Sequence, residues 1–193
     1  MKRGIIVFGA PGSGTSTIGR TLADKLKFSH IETDDISGVT IDSPPFRISR
    51  TLDERIALLH ETIAHCGNFV ISGSMWDWGE TFIPLFDLAI FVTTTTNIRI
   101  KRIEKREYER HGERIHTGGD MYDRHQGFVD WAKSYDTDNP DRSLKLHEDW
   151  IRTLPCPVLR IDGSISVNEN IAKIMRESVI DDAKSFYRNR ICI

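Results

Sequence analysis

The stretch Ile5-Ile6-Val7-Phe8-Gly9-Ala10-Pro11-Gly12-Ser13-Gly14-Thr15-Ser16-Thr17-Ile18 decides how this chain is read. Four apolar residues run into a turn with glycines at 9, 12 and 14, and three hydroxylated residues follow. Ile18, Leu22 and Leu26 then recur every four positions, the spacing of a buried helical stripe. A strand, a glycine turn and a helix in that order let several backbone N–H groups converge on one anion. The positive end of the helix dipole adds to them. The segment reads as a phosphate cradle rather than a plain connection.

The fold follows from what repeats around it. Apolar runs without alternation return at 69–72, 88–92 and 158–161, and a weaker one covers 28–31. Such runs suit strands covered on both faces, and therefore a parallel sheet. Between them Leu52, Ile56, Leu59 and Ile63 mark a helix, and further helices are expected over about 97–110, 120–134 and 143–154. A last helix carries Ile171, Ile174 and Met175 on one side, and 136–141 is a polar loop. The alternation predicts an α/β fold: a doubly wound, five-stranded parallel sheet flanked by helices, with right-handed crossovers. At 193 residues, 1–193 suits a single domain.

Composition excludes several function classes. With 26 Lys+Arg against 28 Asp+Glu the formal charge is -2, so the chain is no general coat for nucleic acid. The 39% hydrophobic and 28% charged fractions are those of a folded globular protein rather than a disordered or membrane one. No apolar run approaches the ~20 residues of a membrane span, and the apolar residues after Lys2 and Arg3 are too few for a secretory signal. Cys66, Cys156 and Cys192 form no CxxC pair and read as reduced thiols. A cytoplasmic protein is expected, monomer or homodimer, with no nucleic-acid or membrane partner. Among the histidines, His111, His116 and His125 have no metal-ligand spacing.

The glycine spacing is that of the P-loop, G-x-x-x-x-G-K-[ST], except that Thr15 stands where the lysine belongs. That lysine normally reaches the β- and γ-phosphates, so a loop that binds nucleotide without transferring phosphate stays open as a reading. Gly-x-Pro-Gly-Ser-Gly-Thr-Ser-Thr-Ile resembles the variant loop of archaeal-type cytidylate kinases, in which a threonine replaces the lysine in active enzymes. More broadly it is similar to the adenylate, cytidylate and shikimate kinase group of small P-loop phosphotransferases. The resemblance implies a nucleoside monophosphate kinase-like P-loop NTPase fold that uses ATP and Mg²⁺. Gly9, Gly12, Ser13, Gly14, Thr15, Ser16 and Thr17 would surround the donor phosphates. It also implies an acceptor-binding insert near 36–66, a helical lid near 99–125, and a small-molecule acceptor, with nucleoside monophosphates leading and other small metabolites next.

A second signal lies between Arg99 and Arg114, where seven basic residues meet four acidic ones. Arg99, Arg102, Arg106, Arg110 and Arg114 are spaced by three, four, four and four, so they share one helical face. A solvated helix with internal i,i+4 ion pairs is the other reading of the stripe. A stripe of arginine alone suits bidentate grip on phosphate better. By resemblance this is the lid: Arg102 would meet the donor, Arg106, Arg110 and Arg114 would stabilise the transferring group, and Gly112, Gly118 and Gly119 would permit movement. Asp162-Gly163-Ser164 would lie near the donor base.

On the acceptor side, His30-Ile31-Glu32-Thr33-Asp34-Asp35 ends the second strand. Ligands of open α/β sheets sit beyond the carboxyl ends of the strands, so Asp34 and Asp35 should face the P-loop crevice. Asp34 is a candidate for catalysis and, with Ser16, for holding Mg²⁺; Asp35 is a candidate for binding the acceptor. Either aspartate could equally cap a following helix. The strand at 69–72 ends without the usual acidic residue, and Asp77 is the nearest substitute. Arg47 and Arg50 are candidates for an acceptor's phosphate or carboxylate, and Trp76 and Trp78 for stacking on its ring. Asp120 suits the N-cap of the next helix.

Overall fold

Ile6 and Phe8 leave the first strand on one side, and Ile5 and Val7 on the other, and all four are buried. That alternation places the strand between two hydrophobic cores. The computed structural model describes residues 3–39, 48–137 and 139–188, with the side chains of 39, 48 and 178–188 excepted.

In chain order the elements are β1 (Gly4–Gly9), α1 (Thr15–Leu26), β2 (Ser29–Glu32), α2 (Thr33–Ser37), β3 (Gly38–Val39), β4 (Ile48–Ser49), α3 (Leu52–His65) and β5 (Phe69–Ser72). They continue as β6 (Phe86–Thr93), α4 (Thr96–His111), α5 (Tyr122–Lys133), α6 (Leu144–Ile151), β7 (Val158–Asp162) and α7 (Val167–Arg188). Five strands form one sheet in the order β2-β5-β1-β6-β7, every pair parallel. β3 and β4 make a separate antiparallel hairpin within the expected insert. Arg47 falls between them, outside the described residues.

Leu59 and Ile63 of α3 and Trp150 of α6 cover one face of the sheet, with Ile6, Phe8 and Phe91. Ile18 and Leu22 of α1 and Ile171 and Ile174 of α7 cover the other. The doubly wound arrangement is therefore the one expected. Helix ends are fixed locally. Thr51 and Glu54 form a reciprocal capping box at the start of α3, and Lys27 ends α1 in the left-handed region at φ 60. Cys66 and Cys156 are free and partly buried; Cys192 lies outside the described residues. Among the described residues no helix is long and apolar enough to cross a membrane.

α4 and α5 carry a small core of their own, Ile100, Ile103, Val129 and Ala132. One side chain ties this pair to the sheet. Arg99 is fully buried, and its guanidinium donates to the carbonyls of Thr94 at 3.2 Å, Pro11 at 3.4 Å and Ala132 at 2.9 Å. It also reaches Thr96 Oγ1 at 3.1 Å and the Asp136 carboxylate at 2.7 Å. The first residue of the arginine stripe is thus a structural bolt between the glycine turn, the end of β6 and α5. Replacing it leaves several buried carbonyls without donors. Arg99→Leu is expected to destabilise the chain by about 3 kcal/mol, lowering Tm by roughly 6–12 °C in a thermal melt. An unchanged Tm would contradict that role.

Candidate functional site

Gly12 and Gly14 take φ values of 78 and 103, which a side chain rarely tolerates. A Cβ on Gly12 would also sit 2.6 Å from the carbonyl oxygen of Arg99. The loop is pinned through its carbonyls. Pro11 O accepts from Arg99, and Ser13 O accepts from Arg102 Nη1 at 3.3 Å and from Thr94 Oγ1 at 3.3 Å. In a trans peptide the C=O and the next N–H point in opposite directions, so the amides of Gly12 and Gly14 are turned away from α4. The first intrahelical bond of α1 runs from Ile18 N to Gly14 O at 3.0 Å. The amides of Thr15, Ser16 and Thr17 precede it, and no side chain caps them. The result is a row of backbone donors at a helix N-terminus, suited to a polyphosphate. Ser13 contributes backbone alone: its side chain is fully buried, with Oγ unpartnered.

Ser16, the hydroxyl expected to hold a metal, donates to Glu32 Oε2 at 3.1 Å. Glu32 stands at the tip of β2 and was not singled out from the sequence. Its other oxygen is buried without a hydrogen bond, 3.5 Å from His30 Nε2 and 3.8 Å from Arg20. Burial pushes this carboxyl up to about 7, against the Ser16 hydrogen bond, with Asp34 and Asp35 adding to the rise. His30 is held below its usual range, chiefly by burial, and its Nε2 lies 2.9 Å from Ser72 Oγ. Ser72 occupies the β5 tip, where the sequence has no acid, and Glu32 is its partner in the sheet register. Asp34 and Asp35 stand one and two residues into α2, exposed in its first turn. Asp77 is exposed beyond β5.

The arginine face of α4 begins at the glycine turn and runs away from it. Arg102 bridges Ser13 O and Gly163 O, the latter at 2.9 Å, and so brings Asp162-Gly163-Ser164 to the loop. Arg106 lies over the Phe128 ring, 5.9 Å from its centroid, and 3.4 Å from Glu107 Oε1. Arg110 is 3.7 Å from that same oxygen. Arg114 forms a two-pronged pair with Asp120 at 2.9 and 2.7 Å. Arg106, Arg110 and Arg114 therefore pair with carboxylates of their own segment. Asp120 is not the N-cap of α5, which is Met121; its carboxylate is engaged by Arg114 instead. Gly112 and Gly118 have positive φ, and Gly119 does not.

The acceptor candidates are distributed differently. Arg50 Nη1 donates to the carbonyls of Asp35 at 2.8 Å, Ile36 at 3.0 Å and Gly38 at 2.6 Å, so it closes the end of α2 instead of standing free. Trp76 donates to Asp141 O at 3.1 Å and lines an outer groove with Ile83, Pro84 and Trp150. Trp78, expected beside it, is buried in the core with its indole on Ser74 O at 3.3 Å. Burial holds Arg142 below the usual guanidinium range, partly offset by the charges of Asp34 and Asp77. Nothing in its sequence surroundings marked it. Among the described residues no cluster of three or more His, Cys, Asp or Glu is placed to bind a metal by itself.

A family model described as an AAA domain matches residues 5–126. The uncharacterized protein YqaC of Bacillus subtilis (strain 168) is 35% identical over 176 residues, covering 91% of this chain and 97% of its own length. A cytidylate kinase of Methanococcus vannielii is 28% identical over 117 residues, 54% of this chain and 66% of that one. Shikimate kinase from Acinetobacter baumannii, solved in complex with shikimate, superposes with a TM-score of 0.55 at 12% identity, over 94% of this chain and 95% of that one. That last likeness is one of fold: a P-loop kinase-like parallel sheet.

Glu32 makes a testable contribution to stability. A carboxyl with a native pKa near 7 keeps a proton that the unfolded chain, near 4.5, has released. Stability should therefore fall as pH rises from about 4.5 to about 7. Glu32→Gln is expected to flatten that decline and to raise Tm at pH 8 relative to the unsubstituted chain. Parallel Tm–pH curves for the two proteins would contradict the buried-carboxyl account.

Proposed function

The chain belongs to the AAA domain family, and on that premise we propose that it is a P-loop phosphotransferase. It moves the γ-phosphoryl group of ATP to a small acceptor, with nucleoside monophosphates the leading class. The observation that carries this reading is the joint at Ser13. The Ser13 carbonyl is held by Arg102, so the start of the arginine face is anchored to the loop that carries the amide row. The cytidylate kinase of Methanococcus vannielii and the fold shared with shikimate kinase support phosphotransfer as the reaction class.

The amides of Gly12 and of residues 14–17 would bind the β- and γ-phosphates. Ser16 and Glu32 fit a hydrated Mg²⁺, because the Ser16 hydroxyl stands on one Glu32 oxygen while the other is buried without a hydrogen bond. When bound, that ion would neutralise charge on the phosphate oxygens. Arg102, between Ser13 and Gly163, supplies positive charge at the loop that Thr15 does not. Arg106 and Arg110 lie one and two turns further along α4 and would exchange Glu107 for the transferring group. Arg114 would likewise leave Asp120. As the acceptor oxygen forms its bond to Pγ, the bond from Pγ to the β–γ bridging oxygen breaks and ADP leaves. Where the acceptor attacks through a hydroxyl, Asp34 would take its proton, and Asp35 would bind the acceptor beside it.

A second reading, a regulatory module that closes on ATP without transfer, is favoured by Thr15 and by the engagement of Arg106, Arg110 and Arg114 with lid carboxylates. A panel of nucleoside monophosphates and small hydroxy metabolites, assayed for ADP release with ATP and Mg²⁺, separates the two. Acceptor-stimulated turnover supports the transferase; tight ATP binding without stimulation across the panel supports the module. For the transferase, the double variant Arg106→Ala/Arg110→Ala should lose roughly 10³-fold or more in turnover while still binding ATP. Intact turnover in that variant would remove the arginine face from the mechanism.

A further inference from the structure

After β5 the chain forms a 3₁₀ segment, Glu80–Leu85, with Pro84 inside it. Proline has no amide to donate and crowds the turn before it, so this segment stays short and does not lengthen into an α-helix over the sheet. The other wall, α6, is also short at 8 residues. Between the two lies the outer groove, a cavity of about 480 Å³. Glu80, Ile83 and Pro84 line it from one side, and Leu146, Asp149, Trp150 and Thr153 from the other. Those last four are spaced by three, one and three, so they share one helical face. Trp76 completes the lining. None of these residues belongs to the glycine turn, α2 or α4.

Both indoles are held from behind. Trp76 Nε1 donates to Asp141 O at 3.1 Å, and the buried Trp150 ring stands edge-on to Phe8 with centroids 4.8 Å apart. The aromatic walls are therefore set before anything enters. The charged groups of the lining have one sign. Glu80 is exposed and forms no ion pair among the described residues. Asp149 meets Arg152 at 2.6 Å, with both side chains more than half exposed, and a pair of that kind is worth little and is readily exchanged. No lysine, arginine or histidine lines the groove. Asp77, one residue beyond Trp76, adds a further exposed carboxylate. An anion entering here meets like charge, whereas an indole face and a carboxylate both attract an ammonium.

We propose that this groove binds a small organic cation, an ammonium carried on an aromatic body. The body lies against Trp76, Trp150, Ile83, Pro84 and Leu146, and the ammonium meets Glu80 and Asp149, where it takes the place of Arg152. The cavity falls within the roughly 300–1,000 Å³ of small-ligand sites, and its mostly apolar lining with a few charged groups is of the same kind. The carboxylates select the charge, and the indoles and aliphatic side chains select the ring. This second site goes beyond the phosphotransfer reading and does not rest on it.

The test titrates three probes of similar shape into the full chain, without nucleotide, while tryptophan fluorescence is followed. Phenethylamine is cationic at pH 7, 2-phenylethanol is neutral and 3-phenylpropionate is anionic. The unsubstituted chain should bind phenethylamine saturably, about tenfold or more tighter than 2-phenylethanol, with 3-phenylpropionate weakest. Glu80→Gln should weaken phenethylamine about tenfold and leave 2-phenylethanol unchanged. Thr153→Lys, which sets an ammonium in the groove wall, should abolish the phenethylamine response. Both positions are exposed, so Tm should stay the same in each variant. No saturable response to phenethylamine in the unsubstituted chain would overturn the proposal. Equal affinity for the amine and the alcohol would overturn it too, since the groove would then be apolar without charge selection. So would phenethylamine binding that Glu80→Gln leaves undiminished, whatever Thr153→Lys does.

Discussion

The structure depends on how two carbonyls of the glycine turn are held. Arg99 takes Pro11 O and Arg102 takes Ser13 O, both from the first two turns of α4. Peptide planarity does the rest, because a carbonyl fixed on one side sends the following amide to the other. The positive φ of Gly12 and Gly14 is the backbone's answer to that constraint. The same contacts anchor the first two turns of α4 to the loop on its carbonyl side.

Charge around the loop is distributed unusually for a phosphate site. No ammonium group follows the second glycine, and no carboxylate ends β5. Arg102 and Glu32 stand near these two gaps, one from α4 and the other from β2. Glu32 sits across from Ser72 in register and reaches Ser16 from there. Its raised pKa follows from being enclosed without a full set of hydrogen bonds, which is the condition a bound cation would relieve. Arg106, Arg110 and Arg114 face a different balance. Their hold on Glu107 and Asp120 is that of exposed or half-exposed pairs, worth little each, and a polyphosphate can compete for them.

Much of the fold was legible in the sequence because its signals are local. The run 69–72 is β5 to the residue, and α4 begins and ends within one position of its expected range. The glycine turn was readable for the same reason: spacing along the chain sets its geometry. The site was only half legible. Ser16 to Glu32, Trp76 to Asp141 and Arg102 to Gly163 are pairings that form only once distant strand ends and loops meet. In the sequence the adjacent pair Asp34 and Asp35 outweighs Glu32, yet a strand's last residue and a helix's first turn point in different directions. Arg50 looks free in sequence because its acceptors are the carbonyls that end α2. Trp78 resembles Trp76 in sequence, but the turn after β5 sends one into the core and the other to the groove.

The central claim is that backbone amides and the α4 guanidinium groups hold a polyphosphate without the missing lysine. Equilibrium titration of MgATP into the unsubstituted chain, beside Thr15→Lys, tests it most directly. The account predicts saturable one-to-one binding by the unsubstituted chain, tightened by less than about tenfold in Thr15→Lys. No saturable binding by the unsubstituted, folded chain, with binding restored in Thr15→Lys, would contradict it.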